Sequence, residues 1–291
     1  MVKINENKLV QVSVIGEVHS PGMGSPYRIT TDGELKVFPG TGGITYNVRI
    51  GDNACGWQAD HVEPGVTIKN TNESFNGALN ILSCIGNTAK IVSGDAKGKT
   101  GYVVGKHGGC EHVLIDFEPE IMEELAIGDK IQIKSCGVGL EFINHPEIKI
   151  FNISPDLIKK LKIKEKKGKP KELQIPVTHL VPAKVMGSGI GKDNVNRGDY
   201  DIQLFDENVR KKYNLDDLKL GDFVAVIDAD NTYGRIYKEG AVSIGVIVHS
   251  NCVIAGHGPG FMTVFTSKDG LIEPIIDKDA NLVNYLYKKK E

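Results

Sequence analysis

Histidine and carboxylate recur together in this sequence at points where the chain changes direction. Five of its eight histidines, His19, His61, His107, His249 and His257, stand at the ends of apolar runs or inside glycine-rich turns, where a β scaffold displays its functional side chains. In Asp60-His61-Val62-Glu63 an imidazole and a carboxylate alternate, and Asp228-Ala229-Asp230 repeats that spacing with two carboxylates. Alternate residues share one face of an extended segment. Imidazole with carboxylate is the ligand set of Zn, Mn or Fe and equally the equipment of general acid/base catalysis. A divalent metal ion is therefore one candidate cofactor, with His61, Glu63 and His249 as its candidate ligands, although the residues themselves name no cofactor. Asp60, His61, Asp228, Asp230 and His257 are the candidate acid/base groups. A histidine in a glycine turn also serves as a hydrogen-bonded structural residue, and no His-x-His or His-Glu-x-x-His pattern is present. Convergence in space must decide.

Three glycine clusters could cradle an anion through backbone N–H groups: Pro39-Gly40-Thr41-Gly42-Gly43, Met186-Gly187-Ser188-Gly189-Ile190-Gly191 and Gly256-His257-Gly258-Pro259-Gly260. Gly42, Gly43 and Gly258 are the candidate ligand-binding positions. The second cluster lacks the helix that must open after a dinucleotide loop, and none has the strand and helix framing a nucleophile elbow. A further stretch, Ala89 to His107, resembles the KOW hairpin of ribosomal and transcription-factor barrels, with Gly94, Lys97, Gly98 and Gly101 at its turn spacing. That resemblance implies a barrel hairpin and offers RNA binding through Lys97 to Lys106 as an alternative function.

The elements that must position these residues are mostly strands. Short runs rich in Val and Ile, bounded by Gly, Asp or Pro, fall at Val10 to Ile15, Thr45 to Ile50, Ala89 to Val92, Tyr102 to Val104, Val113 to Ile115, Lys130 to Ile133, Phe223 to Ile227 and Val242 to Val248. Helix signals are shorter: one capped at Asn76 and stopped at Gly86, one from Ser154 through Lys160, and one from Asp277 to Lys288. The fold class expected is mainly β (α+β), two barrel-like or sandwich-like halves with peripheral helices.

Composition fits that reading. The 291 residues are 40% hydrophobic and 25% charged, enough to bury an ordinary core. A formal net charge of −2 provides no field to hold a polyanion, which makes nucleic acid an unlikely partner. No run is long enough to span a bilayer and the first residues lack a signal-peptide core, so the expectation is a cytoplasmic protein away from membranes. Five dispersed cysteines without a Cys-x-x-Cys pair fit reduced thiols rather than a disulfide framework.

The charged segment Lys162 to Lys171 divides the chain into an N-terminal region, 1–161, and a C-terminal region, 172–291. A weak repeat links them: strand, short helix, Leu-x-(Ile/Leu)-Gly-Asp, strand occurs around Gly128-Asp129 and again around Gly221-Asp222. Those two turns should be structurally equivalent. Asp60, His61, Asp228 and His257 should meet across the junction.

Taken together, PGTGGI (39–44), GWQADHVEPGV (56–66), Ser93 to Gly109 and Asp228 to Pro259, with GAVSIG (240–245) and AGHGPG (255–260), resemble the family known as domain of unknown function 4438. That likeness covers nearly the whole chain and implies no reaction. A fainter one, over Gly221 to Gly260 and Gly16 to His19, is to acetamidase/formamidase-type amidases, which are β-rich and metal-associated, and it implies a site role for Asp228, Asp230 and His249. The leading expectation is a small-molecule hydrolase, metal-assisted or working through base and orienter, with its site between the halves. A non-catalytic metabolite-binding module is the alternative, and edge-strand pairing leaves a homo-oligomer open.

Overall fold

The computed structural model describes residues 2–167, 171–187 and 194–287. The N-terminal strands are β1 (Val12–Val18), β2 (Arg28–Ile29), β3 (Leu35–Lys36), β4 (Ile44–Thr45), β5 (Gly65–Lys69) and β6 (Thr88–Ile91). They are followed by β7 (Thr100–His107), β8 (His112–Asp116) and β9 (Lys130–Ser135). Strands β1-β9-β6-β7-β8-β5 form a ring, closed by pairing of Glu17 with Lys69 and Val18 with Ile68. Every junction of this six-stranded barrel is antiparallel, and closure removes the exposed edges that an open sheet must protect. Alternation in β6 and β9 sends Ala89, Ile91, Ile131 and Ile133 inward to Val66, Ile68, Val103, Val113 and Ile115.

Helix α1 (Glu73–Leu82) packs on β1. Gly16 permits that approach: a Cβ there would lie 2.9 Å from both Leu79 and Ile68. The helix starts one turn before the expected cap. Asn72 accepts from the Phe75 N–H at 3.0 Å with Glu73 in the first turn, a stronger start than Asn76 provides. Asn76 is buried and ties the backbone of Asn70 and Glu111. Helix α2 (Pro119–Met122) crosses from β8 to β9, and α3 (Pro155–Lys160) begins, as expected, with Ser154 accepting from Leu157 N–H.

The C-terminal strands are β10 (Lys149–Ile150), β11 (Lys164–Glu165), β12 (Leu173–Val177), β13 (His179–Pro182), β14 (Tyr200–Asp201) and β15 (Phe223–Asp230). The last three are β16 (Ile236–Ile247), β17 (Gly260–Ser267) and β18 (Ile272–Ile276), with helices α4 (Glu207–Lys212) and α5 (Leu282–Leu286). Strands β10-β17-β16-β15-β13 form a mixed sheet with β14 also on β17, and β11-β12-β18 a smaller one. The architecture is mainly β with short helices, as the strand patterning implies. One apolar cluster unites Val104 and Leu114 of the barrel, and Ile85 just before β6, with Ile175, Phe223 and Val264.

Several local expectations change. Of the run Thr45 to Ile50 only Thr45 lies in a strand, β4, and Arg49 N–H turns onto Asp52. The C-terminal helix is confined to Leu282–Leu286, capped by Asn281, while Lys288 lies outside the described residues. The charged segment at Lys162 pairs Lys164–Glu165 with β12; residues 168–170 and most of the Met186 to Gly191 cluster, 188–191, lie outside the described residues. The two Gly-Asp turns are alike: Gly128 and Gly221 have φ of 92° and 85°, and Asp129 and Asp222 each accept at 2.9 Å from the backbone N–H three residues earlier. Their strands differ in company, β9 between two antiparallel neighbours and β15 between one antiparallel and one parallel.

The KOW-like stretch is the β6–β7 hairpin, turning through Gly98 at φ 96°. Lys97 and Lys99 are exposed, but Lys106 is wholly buried and donates to Asn152 Oδ1 and the Asn196 carbonyl. It therefore points away from any RNA that the turn could meet.

Candidate metal centre

Strand ends from both halves deliver the polar side chains. Asp60 to Glu63 lead into β5, His107 closes β7 and His112 opens β8, Asp201 closes β14, and His249 lies just past β16. Three hydrogen bonds hold the two key loops together, two between backbones, His61 N–H to Asn251 O at 3.3 Å and Ser250 N–H to Val62 O at 2.9 Å, and one to a side chain, Val62 N–H to Ser250 Oγ at 2.8 Å. His61 has φ of 53°, a left-handed conformation costly for a residue with a Cβ and characteristic of functional sites.

At the centre His249 is fully buried, with Asp199 and Asp201 5% and 6% exposed. The His249 Nδ1 lies 2.9 Å from the Ser250 carbonyl; a carbonyl only accepts, so Nδ1 carries a proton and Nε2 faces inward, bare only when the ring is neutral. That Nε2 stands 2.7 Å from Asp199 Oδ2 and 3.4 Å from Asp201 Oδ1, yet neither Nε2 nor Asp199 Oδ2 makes a hydrogen bond. Asp199 Oδ1 is fixed separately by Gly108 N–H at 2.7 Å. Burial disfavours a charged His249, but Asp199 and Asp201 outweigh it and raise its pKa to about 9. The centre demands positive charge.

Around it stand His61, His107 and His257. His107 and His249 rings are 4.2 Å apart, those of His61 and His249 5.0 Å, and those of His61 and His257 5.2 Å. One ring nitrogen from each of His61, His107 and His249 lies within 4.8 Å of the others. His61 Nδ1 is 3.1 Å from Asp60 Oδ1 and its Nε2 3.8 Å from Asp201 Oδ2; burial opposes its charge, and Asp201 and Asp60 override burial and raise its pKa. His257 Nδ1 is 2.7 Å from Asp201 Oδ2. Asp60, pulled below the usual carboxylate range by His61, Cys252 and Arg28 despite its burial, also accepts from Cys252 Sγ at 2.8 Å.

Glu63 is the anchor of the barrel side. Its Oε1 meets His107 Nδ1 at 2.6 Å and His112 Nδ1 at 3.0 Å, while Oε2 accepts from Gly42 N–H and Thr67 Oγ1. Burial favours the neutral acid, but His107 and His112 keep Glu63 well below its ordinary value. Burial, with His249 nearby, lowers the pKa of His107. Neutral His107 thus donates Nδ1–H to Glu63 and leaves Nε2 free.

Of the sequence candidates, Asp60, His61, His249 and His257 meet here, and Glu63 joins through His107. Asp228 and Asp230 do not. Phe223 pairs with Val246 beside His249, whereas Asp230 pairs with Ile236 at the opposite end of the hairpin, roughly 23 Å along seven strand residues. Asp228 is a bulge residue at φ 63° bonded to Gly240 N–H, and Asp230 is occupied by Thr232 and Thr266. The glycines serve packing and support. Gly42 donates to Glu63, a Cβ on Gly43 would meet Pro21 at 2.8 Å, and one on Gly258 would meet the Ile202 carbonyl at 1.8 Å. Asp199 and Asp201 were missed, although Asp199-Tyr200-Asp201 has the same alternating carboxylates as Asp228-Ala229-Asp230.

A cleft of 680 Å³ borders the histidine loop, lined by Met23, Tyr46, Trp57, Ala59 and Val62 among others. A second, of 710 Å³ around His179 and Asp222, shares no residue with the centre.

A closed barrel joined to a mixed sheet, with histidines and carboxylates of both gathered at the junction, defines a two-part β protein with a buried polar centre. The chain belongs to the DUF4438 family: the model of its N-terminal domain of unknown function matches residues 27–159 and that of its C-terminal domain residues 160–286. It is similar to the protein in the crystal structure of TM1086, at 48% identity and a TM-score of 0.93 over 98% of this chain and 99% of that one. No curated protein matches.

Proposed function

We propose that this protein is a metal-dependent hydrolase of a small acyl substrate, an amide in the first instance, with a divalent ion held by His249 Nε2, Asp199 Oδ2 and Asp201 Oδ1. The observation carrying this reading is the pair of buried atoms, His249 Nε2 and Asp199 Oδ2, 2.7 Å apart without a hydrogen bond between them. Two inward-facing acceptors in a dry site repel unless positive charge lies between them; a proton on His249 Nε2, which the raised pKa favours, holds that place in the ion-free centre, and a divalent ion would displace it. Nitrogen with two carboxylate oxygens suits Zn, Mn or Fe. Three ligands leave a position for water, whose pKa such an ion lowers towards neutrality.

His107 is the base. Glu63 fixes its tautomer, as carboxylates do for histidines at metal sites, and the lowered pKa keeps it neutral and able to accept a proton. Water oxygen bonds to the acyl carbon as its proton passes to His107 Nε2. The protonated ring then returns that proton to the leaving nitrogen as the C–N bond breaks, giving acid and amine.

The test is stripping with chelator, reloading with Zn, Mn or Fe, and following amine release from a panel of small amides. Turnover should return with the ion, vanish in His249→Ala and fall by roughly 10²–10⁴ in His107→Gln. Failure to bind any of these ions, or equal binding by His249→Ala, would sink the reading.

A further inference from the structure

Asp201 divides its two oxygens between two sets of ligands. Oδ1 faces His249 Nε2 at 3.4 Å, whereas Oδ2 faces His257 Nδ1 at 2.7 Å and His61 Nε2 at 3.8 Å. His61 and His257 form with Cys252 a second compact group, their donor atoms all within 4.8 Å of one another, and this group shares no member with Asp199, Asp201 and His249. We infer that the centre is dinuclear: a second ion binds between His61 Nε2, His257 Nδ1, Cys252 Sγ and Asp201 Oδ2, and the Asp201 carboxylate bridges the pair. This rests on the hydrolase reading for the first ion only.

Ligands 2.0–2.2 Å from a tetrahedral ion stand about 3.4 Å from each other, close to the 3.4 Å and 3.8 Å separations of Asp201 from His249 and His61, while the 2.7 Å between Asp201 Oδ2 and His257 Nδ1 must open as the ion enters. A carboxylate that presents one oxygen to each of two donor groups matches the roughly 3.5–4 Å metal spacing of two-metal hydrolytic sites. The second group also has its own support. Asp60 Oδ1 holds His61 Nδ1 at 3.1 Å, freeing Nε2 for the ion, and receives Cys252 Sγ at 2.8 Å. Arg28 Nε, 2.7 Å from Asp60 Oδ2, fixes that carboxylate in turn. Cys252 binds as thiolate and releases its proton on metallation. A set of two imidazoles, thiolate and carboxylate favours Zn or Co, whereas the first, with more oxygen, accepts harder ions as well.

The test is the number of ions bound per chain. Purified full-length protein is stripped, titrated with Co²⁺ and measured by elemental analysis and by the thiolate-to-cobalt charge-transfer absorption. Wild type should bind two ions and show the band; Cys252→Ala should lose the band, and both Cys252→Ala and His257→Gln should bind one ion. Because His257 is 35% exposed in its side chain, His257→Gln guards against a folding defect at Cys252. One ion in wild type without the band, two ions without the band, or two ions retained by both variants would overturn the second site as assigned while leaving the hydrolase reading standing, and one ion with the band would overturn both. No ion at all overturns both.

Discussion

Replacing Gly260 by alanine tests the centre without altering a ligand. An ideal Cβ there would lie 2.2 Å from Asp199 Oδ2 and 2.4 Å from the His249 ring. Real Cβ contacts do not fall below 3.0 Å, so Asp199 must retreat by at least 3.0 − 2.2 = 0.8 Å and His249 by 3.0 − 2.4 = 0.6 Å. Both are buried and tied, His249 through Ser250 and Asp199 through Gly108. Metal bonds tolerate about 0.2 Å, so one ligand or both detach. Affinity should fall at least about tenfold, equivalent to roughly 1.4 kcal/mol, measured by competition with a chromophoric chelator on protein whose circular dichroism is unchanged. Gly22→Ala is the control, since no atom lies within 4 Å of its Cβ. A folded Gly260→Ala protein with wild-type affinity refutes the assignment of Asp199 and His249.

Three further perturbations address the frame. Glu63→Ala strands Gly42 N–H, Thr67 and two imidazoles in a dry site and should cost about 3–5 kcal/mol in urea unfolding. Because Glu63 is lowered, its stabilisation is present above the ordinary glutamate range and lost as pH falls through the folded value, so the variant should also flatten the acid limb. Burial pushes Lys106 down to about 8 from 10.5; the unfolded chain binds more protons across that window, so wild-type stability should climb by about 3 kcal/mol between those pH values. Lys106→Met should abolish the climb, and equal slopes for the two proteins would count against it. Arg49→Met should cost about 3 kcal/mol by leaving buried Asp116 without its cation, against about 1 kcal/mol for Tyr287→Phe, which removes one hydrogen bond to the same carboxylate; similar losses would mean that the ion pair is not the main tie.

Much of the scaffold was legible because apolar alternation and glycine punctuation act locally. The runs at Ala89, Lys130 and Phe223 became strands, and Ser154-Pro155-Asp156 a capped helix, since each depends on neighbours in sequence. His61, His249 and His257 stood out by their place at strand ends. The carboxylates were harder. Alternation at Asp228-Ala229-Asp230 assumes an unbroken strand, and the bulge at Asp228 breaks it; Asp199-Tyr200-Asp201 carries the same spacing, and the alternation of buried Tyr200, Ile202 and Leu204 was the signal that could have found it, although only Tyr200–Asp201 is paired as a strand. That Glu63 would reach His107 and His112 depends on strands β5, β7 and β8 lying side by side, and pairing across 40 residues leaves no trace in spacing.

The order of synthesis gives this layout a further meaning. The residues brought together begin at Asp60 and end at His257 and Gly260, so a growing polypeptide carries half a centre until the strand beginning at Gly260 has been made. The barrel can close on its own strands with His107 in place on β7, while the His61 loop still lacks the Ser250 and Asn251 groups that hold it and Asp199, Asp201 and His249 are yet to come. Only when the strand beginning at Gly260 docks beside Ile247 and Val248 does the second set arrive. The buried imidazoles and carboxylates of the two parts therefore face one another only in the finished fold.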